Sequence, residues 1–431
     1  MTTKTTLAER NRQLAEGGDA IAQFNLGNMY RIGYQVKKDT SAAVKWLTLA
    51  AGQGHAEAVA TLRLMGVEPP PAAVEEIDPD PFTFAVEPVH DDPTVLREAA
   101  DKGLADAQVA LGNAYRLGLG VEVDLPEAVR WYTLAAEQNS AIGQYALAVM
   151  YDCGLGVAVD IAKAKALYTK AAQQGDGLAQ FNLGNMIRQG RGGAPNPAVA
   201  AKWFHKAAQQ GEAAAIFALG TLYETGAGVE KDEAKAVDFY RDAAEKGDRD
   251  AQFNLANMIR QGRGTPADPM EAAAFYRRAA AQGLASAELN YGLMLANGIG
   301  VERDDQAAAG WIERAAEQGD TRAQYYLAAI YQNGRGVPQD IATGAAWYRR
   351  AAEQGDHRAA YEMGALLAVG EGLAQDVVEA HLWFTLAARS TNAEIAGAAK
   401  EALRLVETAM DAAQRAEAER RRLARESGTK P

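Results

Sequence analysis

Two stretches of this chain are almost the same. AQFNLGNMIRQGRG at 179–192 and AQFNLANMIRQGRG at 251–264 differ only where Gly184 stands against Ala256. The segments that follow them, 193–211 and 265–283, agree at only 7 of 19 positions. The constraint therefore falls on the first half of each unit. AQFNLGNMYRIG at 22–33 and AQVALGNAYRLG at 107–118 carry much of the same text. Asn28, Asn113, Asn185 and Asn257 occupy one site, and Arg31, Arg116, Arg188 and Arg260 follow three residues later. Asn25, Asn182 and Asn254 stand three residues before. On a helix these spacings share a face. An amide offers one acceptor and two donors, which matches what a peptide unit needs. Arg adds a planar fork for a carboxylate. With Phe and Met beside them, the chemistry is recognition of an extended polypeptide segment.

A second reading stands beside it. Between the arginine units the same position holds Asp152 and Glu224, giving the order Arg116, Asp152, Arg188, Glu224, Arg260. Neighbouring helices pack about 8–10 Å apart, within reach of an Arg–carboxylate pair, so the row also fits an ion-pair ladder between units. Signals for catalysis are weak. His55, His90, His205, His357 and His381 are scattered and show no metal-ligand spacing. Cys153 reads as a packing residue at a helix end. The Gly-x-Gly pairs follow no strand and recur in nearly every unit, so they are turns rather than a nucleotide site. No catalytic residue, metal site or cofactor is expected.

The elements that must position these residues are set by a period. The glycine of Ala-Ala-x-Gln-Gly stands at Gly175, Gly211, Gly247, Gly283, Gly319 and Gly355, every 36 residues, and the register reaches back through Asn139 to Gly103, Gly54 and Gly18. A period of this size marks a repeat array. Each unit reads as two helices. In 104–139, Ala107, Leu111, Gly112 and Tyr115 share a face of helix A, and Gly118 and Gly120 end it. Asp124 then caps helix B, with Glu127 three residues on as in a capping box. Helix B carries Trp131 and Tyr132, then Ala135 and Ala136, small enough for the next helix to approach. The cap position returns as Asp39, Asp160, Asn196, Asp232, Asp268, Asp304, Asp340 and Asp376. Trp203, Trp311, Trp347 and Trp383 repeat the core position of Trp131.

The succession Leu-Gly-x-x-Tyr, Gly-x-Gly-Val, Asp, Trp-Tyr and Lys-Ala-Ala-x-Gln-Gly resembles the Sel-one-like repeat family, relatives of tetratricopeptide repeats. The resemblance covers roughly residues 18 to 391. It implies an all-α superhelical solenoid of about ten two-helix repeats, with helix A lining the concave side. It also implies an adaptor role, as family members serve in signalling, secretion and protein quality control. The position after Leu-Gly then faces the groove, and its Asn resembles the amide of a peptide carboxylate clamp. That clamp's Lys positions are Phe24, Phe181 and Phe253 here.

Composition narrows the function further. A formal net charge of −12 and a pI near 5.1 argue against nucleic acid, which needs a basic footprint. A single cysteine gives no disulfide framework. No apolar run is long enough for a membrane span. The first residues lack the apolar core of a signal peptide, so the expected location is cytoplasmic. From Gly54 to Gly103 is 49 residues, and the excess lies in 67–93, which holds half the prolines and no Lys or Arg. That composition precludes a regular helix. Phe82, Phe84 and Val86 within it could dock on the protein's own groove or on a partner. The expected layout is an N-terminal capping helix at 1–17, a first repeat and the start of a second at 18–66, and the acidic loop at 67–93. The remaining repeats follow at 94–391, and capping helices with a charged tail at 392–431. The function expected is a non-catalytic, bacterial-type adaptor, monomeric or weakly self-associating, that binds a protein or peptide segment in the groove. The alternatives are a self-associating scaffold and, disfavoured, an enzyme.

Overall fold

The computed structural model describes residues 36–52 and 93–427 continuously, with positions 12, 15, 16, 23, 26, 27, 29–31, 58, 62, 65 and 67 besides. The acidic stretch with Phe82, Phe84 and Val86, most of 1–17 and Asn28 lie outside the described residues. The protein is an all-α solenoid, and its contacts divide it into two units, Met1–Ala267 and Asp268–Pro431.

In the first unit α1 spans Thr40–Gly52 and α2 spans Pro93–Asp101. Helices then come in pairs: α3 (Ala105–Leu117) with α4 (Leu125–Glu137), α5 (Ala141–Cys153) with α6 (Ile161–Gln173), and α7 (Gly177–Gln189) with α8 (Pro197–Ala208). After these come α9 (Ala213–Thr225), α10 (Glu233–Glu245) and α11 (Arg249–Gln261). The second unit starts with α12 (Pro269–Ala281), followed by α13 (Ala285–Asn297), α14 (Asp305–Glu317), α15 (Thr321–Asn333) and α16 (Ile341–Glu353). It ends with α17 (His357–Val369), α18 (Val377–Ala387), α19 (Ala393–Ala409) and α20 (Ala412–Ser427). From α2 to α11 and from α12 to α19, each helix packs on the next, and α20 returns to α18.

The local chemistry explains the pairing. Gly118 closes α3 in the left-handed conformation (φ 74°) and donates its N–H to the Ala114 carbonyl. Asn139 takes the place of the unit-ending glycine and is the only non-glycine residue with positive φ (63°) among the described residues. Asp124 accepts from the Glu127 N–H, and the same cap forms at Asp160, Asn196, Asp232, Asp268, Asp304, Asp340 and Asp376. The reciprocal arm of the expected capping box does not form. The Asp124 N–H already donates to the Tyr115 carbonyl, and the Glu127 carboxylate accepts from Arg130 instead.

In four repeats the core is an aromatic ring of helix B seated on a glycine of helix A: Tyr132 on Gly112, Phe204 on Gly184, Tyr240 on Gly220 and Phe384 on Gly364. A Cβ at Gly112 would stand 2.5 Å from the Tyr132 ring, and one at Gly184 2.6 Å from Phe204. Each ring is fully buried, which contributes about 1.5–3 kcal/mol. Adjacent repeats also meet backbone to backbone. A Cβ on Gly300 or Gly336 would lie 2.0 Å from the carbonyl oxygen of Pro269 or Asp305, one repeat back. Of the tryptophans, Trp131 and Trp383 are buried, while Trp203, Trp311 and Trp347 are half-buried under Lys206, Arg314 and Arg350. At the end of the second unit, α19 and α20 bury Ala399, Val406, Met410 and Ala418. Their charged side carries the pairs Arg404–Glu401, Arg420–Glu417 and Arg422–Glu419.

Candidate functional site

The asparagine row does not have one environment. Asn113 is 9% exposed, and its Oδ1 accepts a 2.6 Å hydrogen bond from the Tyr132 hydroxyl. Burial pushes the Tyr132 hydroxyl up to about 12, against the pull of the neighbouring Arg116. Two repeats on, the ring under the row is Phe204, which has no hydroxyl. Asn185 is only half-buried there, and its Oδ1 accepts from Arg188 at 3.2 Å. The Arg188 guanidinium is exposed. Asn182 donates to the Tyr145 hydroxyl at 3.3 Å, and Asn254 hydrogen-bonds the Tyr240 hydroxyl. Asn257 is half-buried and Arg260 exposed. Arg31 is half-buried, and desolvation draws its pKa down.

The carboxylates of the alternating row are held from the turns. Asp152 accepts from both terminal nitrogens of Arg191, at 2.6 and 3.2 Å, and its side chain is only 14% exposed. Glu224 accepts from Arg263 at 3.0 Å and from the Tyr240 hydroxyl at 2.7 Å. Arg263 also pairs with Glu233 at 2.9 Å. In the second unit Arg335 repeats the reach, bonding the Ala296 carbonyl and Asp305. These arginines sit between the two glycines of the turn, a signal the sequence displays at Arg191, Arg263 and Arg335. Reading the Gly-x-Gly pairs only as turns passed over it.

A second feature was equally visible and equally missed. The Gln of Ala-Ala-x-Gln-Gly is more than a turn marker. Gln138, Gln174 and Gln210 donate to the buried Gln108, Gln144 and Gln180 at 2.7, 2.8 and 2.9 Å. Each buried glutamine donates in turn to a carbonyl eight residues back, as Gln108 does to Ala100 and Gln180 to Ala172. Gln354 to Gln324 to Ala316 repeats this in the second unit. The ladder adds a second donor to helix-terminal carbonyls that already accept from the turn, as Ala100 does from the Gly103 N–H and Ala316 from the Gly319 N–H.

Among the described residues no group of three or more His, Cys, Asp or Glu could hold a metal ion, and no helix is long and apolar enough to cross a membrane. Cys153 ends α5 and is exposed, which corrects the packing role expected of it. The helix before it closes on Gly154, and the residue ahead of that cap faces solvent.

Paired antiparallel helices of fixed length, glycine-closed and Asp-capped, define a repeat protein of the α/α type. The model of the Sel1 repeat matches nine segments, at residues 20–55, 105–140, 141–176, 177–212, 213–248, 249–284, 285–320, 321–356 and 357–392. The chain belongs to the Sel1 repeat family, with nine matched repeats against the ten or so expected. Proteins of this family are generally protein-interaction scaffolds. Among solved structures, a protective antigen of uropathogenic Escherichia coli strains displaying an SLR fold is 30% identical, with a TM-score of 0.51, over 96% of this chain and 93% of that one. A Sel1 repeat protein from Oxalobacter formigenes is also 30% identical, with a TM-score of 0.54, over 76% of this chain and 98% of that one. A putative sel1-like repeat-containing protein of Acanthamoeba polyphaga mimivirus is 43% identical over 47 residues, 11% of this chain. The chitin synthase regulator SKT5 of Malassezia restricta is 31% identical over 129 residues, 29% of this chain. Both alignments span only 8% of those two proteins.

Proposed function

We propose that the chain is a non-catalytic adaptor that holds an extended segment of a protein partner along its A helices, with Asn185 and Arg188 of α7 as the contact of the first unit. One observation carries this reading. The carboxylates on either side of α7, Asp152 and Glu224, are engaged by the turn arginines, and Arg188 is exposed with Asn185 as its hydrogen-bond acceptor. A fork and an amide that no carboxylate of the row engages suit a peptide backbone and an acidic side chain. The remaining members, Asn28, Arg31, Asn113, Arg116, Asn182, Asn254, Asn257 and Arg260, extend the contact or support it. A cytoplasmic, bacterial signalling or regulatory setting belongs to the same proposal, as does a monomeric or weakly self-associating state.

The test is photocrosslinking in native lysate from a probe at exposed Gln189, beside Arg188 and one helical turn after Asn185, with a probe at exposed Lys202 on α8 as control. A partner captured from 189, absent from 202, and lost when the probe at 189 is combined with Asn185→Ala, Arg188→Ala, Asn257→Ala and Arg260→Ala supports the reading. Unchanged capture by that variant, with its helicity intact by circular dichroism, sinks it.

A further inference from the structure

The glutamine ladder is broken in the second unit by an acid. The position held by Gln108, Gln144, Gln180, Gln252 and Gln324 is Glu288 in α13, and its side chain is fully buried. Its Oε2 accepts a 2.6 Å hydrogen bond from Gln318, and its Oε1 stands 2.8 Å from an Arg314 nitrogen as an ion pair, both from the α14 end of the same repeat. The cation does not by itself demand an acid. Arg350 occupies the equivalent place beside Gln324, which remains an amide. What differs is the donor. Gln324 gives its amide N–H to the Ala316 carbonyl eight residues back. An ionised carboxylate has no proton to give to the equivalent carbonyl of Ala280, whereas a neutral carboxylic acid has one.

We infer that Glu288 is a proton-operated joint between α13 and its neighbours. Neutral, it adds a side-chain donor to the ladder as glutamine does; ionised, it turns to Arg314 and leaves the Ala280 carbonyl with only the N–H donors of its own turn, Gly283 among them at 2.9 Å. The charged groups acting on it come from α14: Arg314 draws the carboxylate toward ionisation, and Glu317 opposes it. From α12, the other helix packed on α13, Ala279 and Ala280 are buried while Arg277 and Arg278 are exposed. Burial outweighs Arg314 and holds the Glu288 carboxyl above its ordinary range. For an acid raised in the folded state, the stabilising contribution is complete below the ordinary glutamate pKa of about 4.3 and is lost as pH rises through the folded value. The joint is thus tight in acid and loosens as pH rises through the raised folded value.

The experiment is hydrogen exchange of the intact chain from pH 5 to pH 8, corrected for intrinsic rates, on wild type, Glu288→Gln and Gln324→Glu. In wild type the amides of α13 and the start of α14 should open several-fold more often at pH 8 than at pH 5. Glu288→Gln should abolish that difference, with slower opening at pH 8. Gln324→Glu, which recreates the Arg350 and Gln354 setting one repeat on, should move the same response into α15. Identical pH courses in wild type and Glu288→Gln overturn the inference. A response in Gln324→Glu that is absent there, with wild type flat, overturns it equally, because Glu288 is then not titrating as a joint.

Discussion

The repeats at 105–140 and 177–212 share a helix A and differ in what lies beneath it. In the first, Tyr132 sends its hydroxyl through to Asn113, which is buried and occupied. In the second, Phe204 fills the same place against Gly184 with no hydroxyl to send, and Asn185 stays half-buried beside an exposed Arg188. In this pair the helix B oxygen goes with an asparagine held in the core, and its absence with one left half-buried; Asn257, in the repeat where Tyr276 holds the Tyr132 position, is half-buried as well. An alignment of the A helices alone makes the two look interchangeable.

The strongest test of that comparison removes the rings. Phe204→Ala should cost about 3–5 kcal/mol, the range for emptying a buried aromatic site. Tyr132→Ala should cost more, by about 1–3 kcal/mol, because it also strands the buried Asn113 carbonyl oxygen. Urea unfolding read by hydrogen exchange at α3 and α7 separates the two, since an array of repeats need not unfold in one step. Equal losses would break the comparison. A milder pair sharpens it. Tyr132→Phe should lower stability by about 1 kcal/mol, whereas Phe204→Tyr should leave stability nearly unchanged and weaken partner capture from position 189 by occupying Asn185. Enhanced capture in Phe204→Tyr would show that the asparagine is not a contact.

The turn clamps come next. Arg191→Ala leaves Asp152 without its cation. The arginine is 38% exposed, so solvent screening limits the loss to about 1 kcal/mol, and the effect should weaken further in high salt. Chemical denaturation at two salt concentrations checks it. Smallest in stability is Arg188→Ala, which should stay within about 0.5 kcal/mol of wild type while reducing capture. A fall in melting temperature larger than that of Arg191→Ala would make Arg188 a structural residue.

Much of the fold was legible before any coordinates. The 36-residue period, the glycine that closes each A helix and the Asp that opens each B helix are local signals, and local chemistry wrote them. Asn139 was even placed correctly in a glycine's seat, because Asn tolerates the left-handed conformation. What the sequence hid was contact beyond a single helical turn. The capping box at Glu127 looked complete, yet Tyr115 had already claimed the donor it needed. By position Asp152 and Glu224 match the arginines of their own row, while Arg191 and Arg263 reach them from 39 residues away. The glutamines were read as part of a turn because their partners stand 30 residues off. Periodicity shows which residues are equivalent; it does not show which of them touch.

The second glycine of each turn carries a further consequence. At Gly300 and Gly336 the neighbouring repeat's carbonyl stands where any side chain would begin. The joint is therefore made of main chain, and main chain is the same whatever the side chains say. Repeats built this way behave as interchangeable parts: one can be excised, duplicated or given a new outer face, and the spacing to its neighbour is inherited unchanged. The near-copy of 179–192 at 251–264 is what such a joint permits, one helix A text reprinted at a fixed stride while the segments between the copies are free to drift.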